Sequence, residues 1–437
     1  LELYSAHPHH AARSLVLDCS TDLNPEHLRE AVGHCLVRHA ALCLSFVKTT
    51  HGWQSVQTDV GRAIPFTCLD VTAVKAKAED RAMQAAVADI QAGLNLEMGA
   101  LLHVAWFKRG GDRPHRLWIL VHELASDRQS LAVVLEDLLL AYRDLEKEMA
   151  VTSQPATRPF KQWAERLPDI AALPAVRAER SYWQRALQSV AAPLPLDFPD
   201  GSNRADSVAT VRIAISGRYT QALQEKVSTT GTDIEVFLLA ALLVAVGDRT
   251  GTRSLTVELE AAGRELVGSA DFSRTVGPFN SRFPLTLTAN ADDSQQAIVR
   301  SVADALRAVP HRGVHFGLLR DLDESRDSKL KSDCEYLASS RPICFDYLGA
   351  LMGDEPSQES SLPSVGLPLT LVPQLCVTRH SPEALRPYVL DIQCYVADGA
   401  LHFLWHYSAS LHSRKTIVRL AEATAKAVQS FAVIADS

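Results

Sequence analysis

The chain has no apolar run long enough to cross a bilayer. Its longest, Ile234 to Gly247, carries Glu235, whereas a spanning helix needs about 20 apolar residues. No leader-like segment, basic and then apolar, opens the sequence. Neither sign of charge dominates. Lys and Arg total 44 against 51 Asp and Glu, for a net charge of −7 with the signs interspersed. That balance excludes nucleic acid or an anionic membrane as the main partner. There is no Gly-rich phosphate loop and no Ser-centred nucleophile elbow. Low-complexity tracts and short-period repeats are also missing. The eight cysteines (Cys19, Cys35, Cys43, Cys68, Cys334, Cys344, Cys376 and Cys394) are scattered, and no pair has metal-ligand spacing. They read as reduced, buried thiols of a cytoplasmic protein rather than a disulfide framework or a zinc site. No metal and no cofactor is expected.

What is present is an ordinary globular composition, 47% apolar and 22% charged over 437 residues, enough for two or three domains. The sequence lacks an initiator Met and opens in mid-pattern, as a segment excised from a longer polypeptide would. Asn24-Pro25 offers an N-cap and a first-turn proline, and Leu28, Ala31, Val32, Cys35 and Leu36 follow at helical spacing. Residues 79–94 read as a second amphipathic helix. Leu101 to Phe107 and Leu117 to Val121 are strand-like runs joined by a Gly110-Gly111-Asp112 turn. A helix from Leu131 to Lys147 comes next.

Residues 186–208, rich in Ala, Pro, Gly, Ser and Asp, read as a linker. This gives an N-terminal lobe over 1–185 and a C-terminal lobe over 209–437. In the second lobe, Val211 to Ile215 and Leu255 to Leu259 read as strands, as do Ile343 to Leu348, Tyr388 to Val396 and Leu401 to Tyr407. Asp233 is placed to cap a wholly apolar helix that must be buried on all sides. Ser294 is placed to cap a helix ending at Val309-Pro310. Residues 413–433 form a closing amphipathic helix. Strands and helices mixed in both halves predict an α/β fold with two layered units.

One stretch carries chemistry: Val121-His122-Glu123-Leu124-Ala125-Ser126-Asp127-Arg128. It resembles, in damaged form, the His-His-x-x-x-Asp-Gly motif of condensation-type domains of nonribosomal peptide synthetases, whose second histidine handles the proton in catalysis. In that motif the Asp lies four residues after the second histidine. Asp127 lies four residues after Glu123 and five after His122. A gapless match therefore puts His122 on the first, structural histidine, Glu123 on the catalytic one and Arg128 on the glycine. Glu136-Asp137-Leu138 matches the Glu-Asp-Leu that follows the motif in epimerization domains, and does so only in this register. The alternative makes His122 the catalytic histidine and needs one inserted residue before Asp127.

The resemblance to epimerization domains extends along nearly the whole chain. Pro8-His9-His10 with Ser14-Leu15-Val16-Leu17, then Arg38-His39-Ala40-Ala41-Leu42, match its first lobe. Phe160-Lys161-Gln162-Trp163-Ala164 and Tyr182-Trp183 resemble the end of that lobe. Glu260-Ala261-Ala262-Gly263-Arg264-Glu265 is similar to Glu-Gly-His-Gly-Arg-Glu, and Ser273-Arg274-Thr275-Val276-Gly277-Pro278-Phe279 to Ser-Arg-Thr-Val-Gly-Trp-Phe. Val309-Pro310-His311-Arg312-Gly313 with Gly317-Leu318-Leu319-Arg320 is close to verbatim, and Phe345-Asp346-Tyr347-Leu348-Gly349 resembles Phe-Asn-Tyr-Leu-Gly. The family implies two chloramphenicol-acetyltransferase-like lobes forming a V-shaped pseudo-dimer, with a tunnel for a carrier protein's phosphopantetheine arm.

Epimerizing a carrier-bound aminoacyl thioester removes and returns its α-proton, which needs a base on one face and an acid on the other. In the family a histidine and a glutamate stand there. By motif the glutamate is Glu260 and the histidine position holds Glu123. Two facing carboxylates can share a proton and still work. The plainer reading is a dead site, with no catalytic residue among His122, Glu123, Asp127, Arg128 and Glu260. Arg128 is then expected to fill the glycine's space and pair with a carboxylate, Glu123 or Glu260. Ala261-Ala262 in place of Gly-His, Pro278 in place of Trp and Asp346 in place of Asn add to the losses. Other histidines read as structural. His7, His9 and His10 are exposed edge residues, and His311 belongs to helix-end packing. His402 and His406 form a solvent-facing strand row rather than a metal pair.

Scaffold motifs kept while channel motifs are lost imply a binding role. Degenerate relatives of this kind are recruitment platforms: the X domain of glycopeptide synthetases brings haem monooxygenases, and the interface domain of siderophore synthetases brings non-haem iron β-hydroxylases. The expected function is a noncatalytic interface domain that recruits a tailoring oxygenase to a carrier-bound amino acid or peptide. The adjacent peptidyl carrier protein and other synthetase domains are its further partners. The alternatives are a divergent active epimerase using Glu260 and Glu123, and a condensation-type domain with altered chemistry.

Overall fold

A computed structural model describes residues 8–50, 52–58, 63–151, 157–268, 270–322, 333–334, 343–350, 369–372 and 381–433. The first elements in chain order are β1 (Ala12–Cys19), α1 (Pro25–Arg38), β2 (Leu44–Thr49), β3 (Gly52–Gln57), β4 (Phe66–Asp70), α2 (Ala76–Ala92), β5 (Leu102–Lys108), β6 (His115–His122) and α3 (Arg128–Glu146). Four short helices follow: α4 (Phe160–Ala164), α5 (Leu167–Ala171), α6 (Pro174–Ala178) and α7 (Arg180–Gln188). Next come β7 (Val208–Ile215), α8 (Gly217–Thr230), α9 (Ile234–Thr250), β8 (Ser254–Ala262), β9 (Asn280–Thr288), α10 (Gln295–Ala308) and α11 (Phe316–Asp321). The last are β10 (Ile343–Ala350), β11 (Leu369–Leu371), β12 (Leu390–Ala397), β13 (Ala400–Ser408) and α12 (Arg414–Val433).

The chain divides into two compact α/β units, and neither is one continuous segment. The first takes the described residues within Leu1–Glu165, Arg264–Phe279 and Ser361–Ala384. Its five-stranded sheet runs β11-β1-β6-β5-β4, antiparallel except for the β4–β5 pair. The β2–β3 hairpin stands apart. Met83 and Val87 of α2 pack with Val16, Ala105, Phe107, Trp118 and Leu120 from the sheet. The second unit takes Arg166–Gly263, Asn280–Ser360 and Leu385–Ser437 where described. Its six-stranded sheet runs β7-β13-β12-β10-β8-β9. There α9 and α12 pack with the sheet's apolar face.

The structure departs from the sequence reading at the linker. Residues 166–208 belong to the second unit, and the units exchange at Glu165 rather than beyond residue 185. Residues 186–208 are tied down. Ala191 N donates to Thr256 Oγ1 at 2.8 Å, and the Asp197 and Phe198 amides both donate to Leu411 O at 3.1 Å. A Cβ on Gly201 would lie 1.8 Å from Ser410 O. Glycine is needed there because backbone passes against backbone. The composition of a linker is equally that of a packed irregular segment. The apolar helix α9 is buried over most of its length, as its lack of a polar face predicts. Asp233 precedes it without a side-chain cap bond. Asn24 caps α1 and Ser294 caps α10, each through a side-chain oxygen. Among the described residues, no single helix is long and apolar enough to cross a membrane. The seven described cysteines are free thiols, and Cys376 lies outside the described residues.

Candidate functional site

Within the first unit, the motif begins where β6 ends. His122 is fully buried. Its Nε2 lies 2.8 Å from Pro8 O, and its Nδ1 accepts from Leu124 N at 3.1 Å. Both ring nitrogens are thus held by backbone, which requires the neutral imidazole with its proton on Nε2. Burial pushes this group down to about 4 from an ordinary 6.5, against the opposing pull of Pro8 O and the Glu123 carboxylate. The next residue, half-buried Glu123, donates its amide to Ala11 O at 2.8 Å.

Asp127 then opens α3. Its Oδ1 accepts from Ser130 N at 2.7 Å, an N-cap bond. The same oxygen receives Arg264 Nη2 at 2.7 Å. Arg264 Nη1 reaches Phe272 O and Thr275 O, and its guanidinium lies 4.2 Å over the Phe279 ring. Ser130 Oγ sits between Asp127 Oδ1 and Gly277 O, at 2.7 and 2.9 Å, and accepts from Gly277 N at 3.0 Å. Burial lowers the Arg264 guanidinium from its ordinary value, and Asp127 works against that shift. This is a buried ion pair with Nη1 spent on two carbonyl oxygens, while Nε has no hydrogen-bond partner among the described residues; further hydrogen bonds of this kind help a buried pair persist. Segment 264–279 is held a second time by Arg274, which pairs with Glu136 and Asp137. Arg38 and His39 also converge on Asp137, at 2.7 and 2.8 Å. Burial would raise the Asp137 carboxyl, but the His39 bond and the charges of His39, Arg38 and Arg274 bring it below its ordinary value.

The second unit holds Glu260. On β8 it stands opposite Arg282 of β9 in antiparallel register, with 3.6 Å between the charged groups. Cys344 of β10 pairs with Glu258 of β8. Two residues on from each, and so on the same face of the sheet, come Asp346 and Glu260. Arg282 consequently forks onto Asp346 at 3.0 and 3.3 Å and approaches Cys344 Sγ at 2.9 Å. Burial would lower the Arg282 guanidinium, but Cys344, Asp346 and Tyr388 raise it well above its ordinary value. Tyr388 donates its hydroxyl to Glu258 Oε2 at 2.8 Å. Burial, and then the Glu258 charge, raise that phenol well above its ordinary value.

The condensation-domain family model matches residues 1–433. The chain belongs to the condensation superfamily of nonribosomal peptide synthetases. This condensation domain is 32% identical to one of the linear gramicidin synthase polypeptides of Brevibacillus parabrevis, over 94% of its own length and 5% of that protein's. It is also 32% identical to chondramide synthase of Chondromyces crocatus, over 96% and 10% respectively. The chain therefore spans a tenth or less of these two relatives. Among solved structures, it shares its fold with the epimerization domain from the third module of tyrocidine synthetase B, with a TM-score of 0.84, 24% identity and coverage of 97% and 93%. The X-domain from teicoplanin biosynthesis is a further neighbour, with a TM-score of 0.71, 19% identity and coverage of 97% and 91%. A third is the complex of that biosynthesis's X-domain with OxyB, at a TM-score of 0.67, 20% identity and coverage of 97% and 88%.

In this condensation domain, His122, Glu123, Asp127 and Arg128 share the first unit, while Glu260 lies in the second. Within the first unit, Arg128 does not pair with Glu123, one of the two carboxylates expected for it. As the first residue of α3 it is exposed, and among the described residues it makes no ion pair. The guanidinium that reaches Asp127 is that of Arg264. His9 is half-buried rather than exposed, with its Nδ1 accepting from Leu96 N at 3.1 Å. His10 is likewise half-buried, and His7 lies outside the described residues. On β13, His402 stacks on Tyr395 and His406 bonds Thr210. Sequence reasoning missed Arg282, Cys344 and Tyr388 around Glu260. The signal available for Arg282 was an Arg in a segment able to lie as a strand opposite the Glu260 strand. That segment contains Pro284 and did not read as a strand.

Proposed function

We propose that this condensation/epimerization-like domain is noncatalytic. In this reading it is an interface that recruits a tailoring oxygenase, acting in trans, to the amino acid or peptide held on a carrier protein of its synthetase. The observation that carries the proposal is the glutamate at position 123, in the register where epimerization domains place the proton-handling histidine, beside an undamaged Asp127–Arg264–Ser130–Gly277 bond set. The scaffold bonds persist where the imidazole does not. Two further features support it. Glu260 faces the Arg282 guanidinium, which is itself engaged by Asp346. And a neighbour of the same fold has been captured as an X-domain bound to OxyB, so this fold can present a docking face to another protein. A recruiting contact of this kind is expected to be transient, burying about 1,000–2,000 Å², with a few aromatic or Arg anchors carrying its affinity.

The competing reading, a divergent epimerase using Glu123 and Glu260, draws on the partial exposure of both carboxylates. One experiment separates the two. A carrier protein loaded with an L-aminoacyl group is incubated with the domain in deuterated water. No domain-dependent α-deuterium is expected. In parallel the domain is tested for binding to the oxygenase of its own pathway, and Glu123→Ala and Glu260→Ala should leave that binding intact. Deuterium wash-in that disappears in Glu260→Ala would falsify the noncatalytic reading. Failure of every pathway oxygenase to bind would remove the recruiting role.

A further inference from the structure

Away from these residues, in the second unit, two imidazoles converge on one buried carboxylate oxygen. His311 Nδ1 and His315 Nδ1 lie 2.6 and 2.7 Å from Glu179 Oε1, and their rings are 4.6 Å apart. Glu179 precedes α7, His311 lies in the turn after α10, and His315 immediately precedes α11. Glu179 and His315 are buried, whereas the His311 side chain is 61% exposed. Trp183 Nε1 lies 3.5 Å from the other oxygen, Oε2, which leaves Oε1 for the imidazoles. Among the described residues, Glu179 has no Lys or Arg partner. A carboxylate buried without a fixed cation is the arrangement proteins complete with a proton or a metal.

A second cluster sharpens the contrast. Cys344, Asp346 and Asp391 also bring metal-type donors within 4.8 Å of one another. Arg282 already stands among them, 2.9 Å from Cys344 and 3.0 Å from Asp346. An internal guanidinium holds that place and repels a second cation. Nothing comparable occupies the Glu179 cluster.

The backbone at His311 points the same way. His311, Arg312 and Gly313 have φ of 44°, 52° and 81° in succession. The first two are non-glycine residues in the left-handed region, a conformation that costs free energy and persists where the surroundings enforce it. A Cβ on Gly313 would lie 2.2 Å from the Phe283 ring, so the turn cannot relax by substitution there. It holds the His311 imidazole over Glu179.

We propose that Glu179, His311 and His315 form a binding site for a divalent transition-metal cation of the zinc class, with an open fourth position on the exposed His311 side. Two neutral imidazoles and one carboxylate suit such an ion. Binding moves each ring proton from Nδ1 to Nε2, frees both Nδ1 lone pairs, and spreads the donors to about 3.4 Å apart. The exposed His311 ring supplies most of that movement. Trp183, which packs 4.7 Å from Phe316, backs the site and keeps the carboxylate oriented. The cation would tie α7 to the start of α11.

The test uses the whole chain, purified free of metal and titrated with Zn(II) and, for its visible absorption, Co(II). One equivalent of Zn(II) should bind, with a four-coordinate Co(II) spectrum that Zn(II) displaces. His311→Asn removes the imidazole while keeping a residue that tolerates the left-handed region, so the fold should survive. It and Glu179→Gln should each weaken binding at least tenfold. The double variant His311→Asn/His315→Ala should lose the Co(II) spectrum. Absence of a one-equivalent site in the parent chain overturns the proposal, leaving a hydrogen-bonded triad only. So does a site unchanged in His311→Asn and Glu179→Gln.

Discussion

An imidazole held near 4 inside a sheet resists protonation, and the unfolded chain does not. The folded value of His122 lies below its ordinary 6.5, so the unfolded state binds more protons between those limits. Stability is therefore complete above pH 6.5 and falls as pH drops toward 4. The loss attributable to this residue is about 2 kcal/mol by pH 5, readable as a falling urea midpoint that flattens in His122→Asn. Asp127 separates two roles. Asp127→Ala strips the α3 cap and leaves Arg264 buried without its anion, which should lower stability by about 3–5 kcal/mol. Asp127→Asn also loses the anion but keeps a good capping group and should cost clearly less by the same unfolding measurement, the difference between the two variants being the cap rather than the ion pair. The helix that follows was legible in the sequence, but Asp127 was read only as the motif aspartate and not as its cap. Its buried partner was not legible either. Arg264 lies 137 residues away, and nothing local announces that it meets Asp127. The sequence pointed instead to Arg128, and to Glu123 or Glu260 as its carboxylate.

Segment 264–279 behaves as an element in its own right, though it contains only a short turn of helix. Two arginines pin it, Arg264 to Asp127 and Arg274 to Glu136 and Asp137. Arg274→Ala should speed amide hydrogen exchange in 264–279 and in the first turns of α3 while leaving α9 and α12 protected. Equal loosening in those helices would contradict a local role. Gly277 is a second handle. A Cβ there would come 2.4 Å from the Phe160 ring, and Phe160 packs edge-on against Phe279 at 5.0 Å. Gly277→Ala should therefore lower stability by about 1–3 kcal/mol through overpacking, seen as a lower Tm. The Glu136-Asp137-Leu138 and Ser273-Arg274-Thr275-Val276-Gly277 motifs were both visible in the sequence. That they bind each other was not, because motif matching orders segments without pairing them. Strand β9 went unread for a different reason. Pro284 breaks the usual strand signal, yet β9 is the edge of its sheet, where a missing amide costs nothing.

At the scale of the molecule, the α/β class and the family were legible because strands and helices alternate in both halves and the motifs keep their order. The division into units was not. Composition marks 186–208 as irregular, but whether an irregular segment hangs free or packs depends on contacts such as those of Asp197 and Phe198 with Leu411. A polypeptide of residues 1–185 lacks Arg264, Arg274 and Gly277, and also lacks β11, which pairs with β1. It should show no cooperative unfolding transition by near-ultraviolet circular dichroism. A sharp transition matching that of the whole chain would mean the interleaved segments are dispensable.

That interleaving sets a timetable for synthesis. Domains commonly fold from the N-terminus as the chain leaves the ribosome, at about 5–20 residues per second. Here β6 ends at His122 and β11 begins at Leu369, so the nascent sheet waits roughly 10–50 s for its last strand. Through that interval one side of β1 is an unpaired edge, the surface most prone to pairing with a neighbouring chain. Asp127 is also without Arg264, and Asp137 without Arg274, until 264–279 emerges. The first unit begun is thus held incomplete until its last segment, within Ser361–Ala384, has been made, and translation speed or chaperone supply should govern the yield of this domain more than its final stability does.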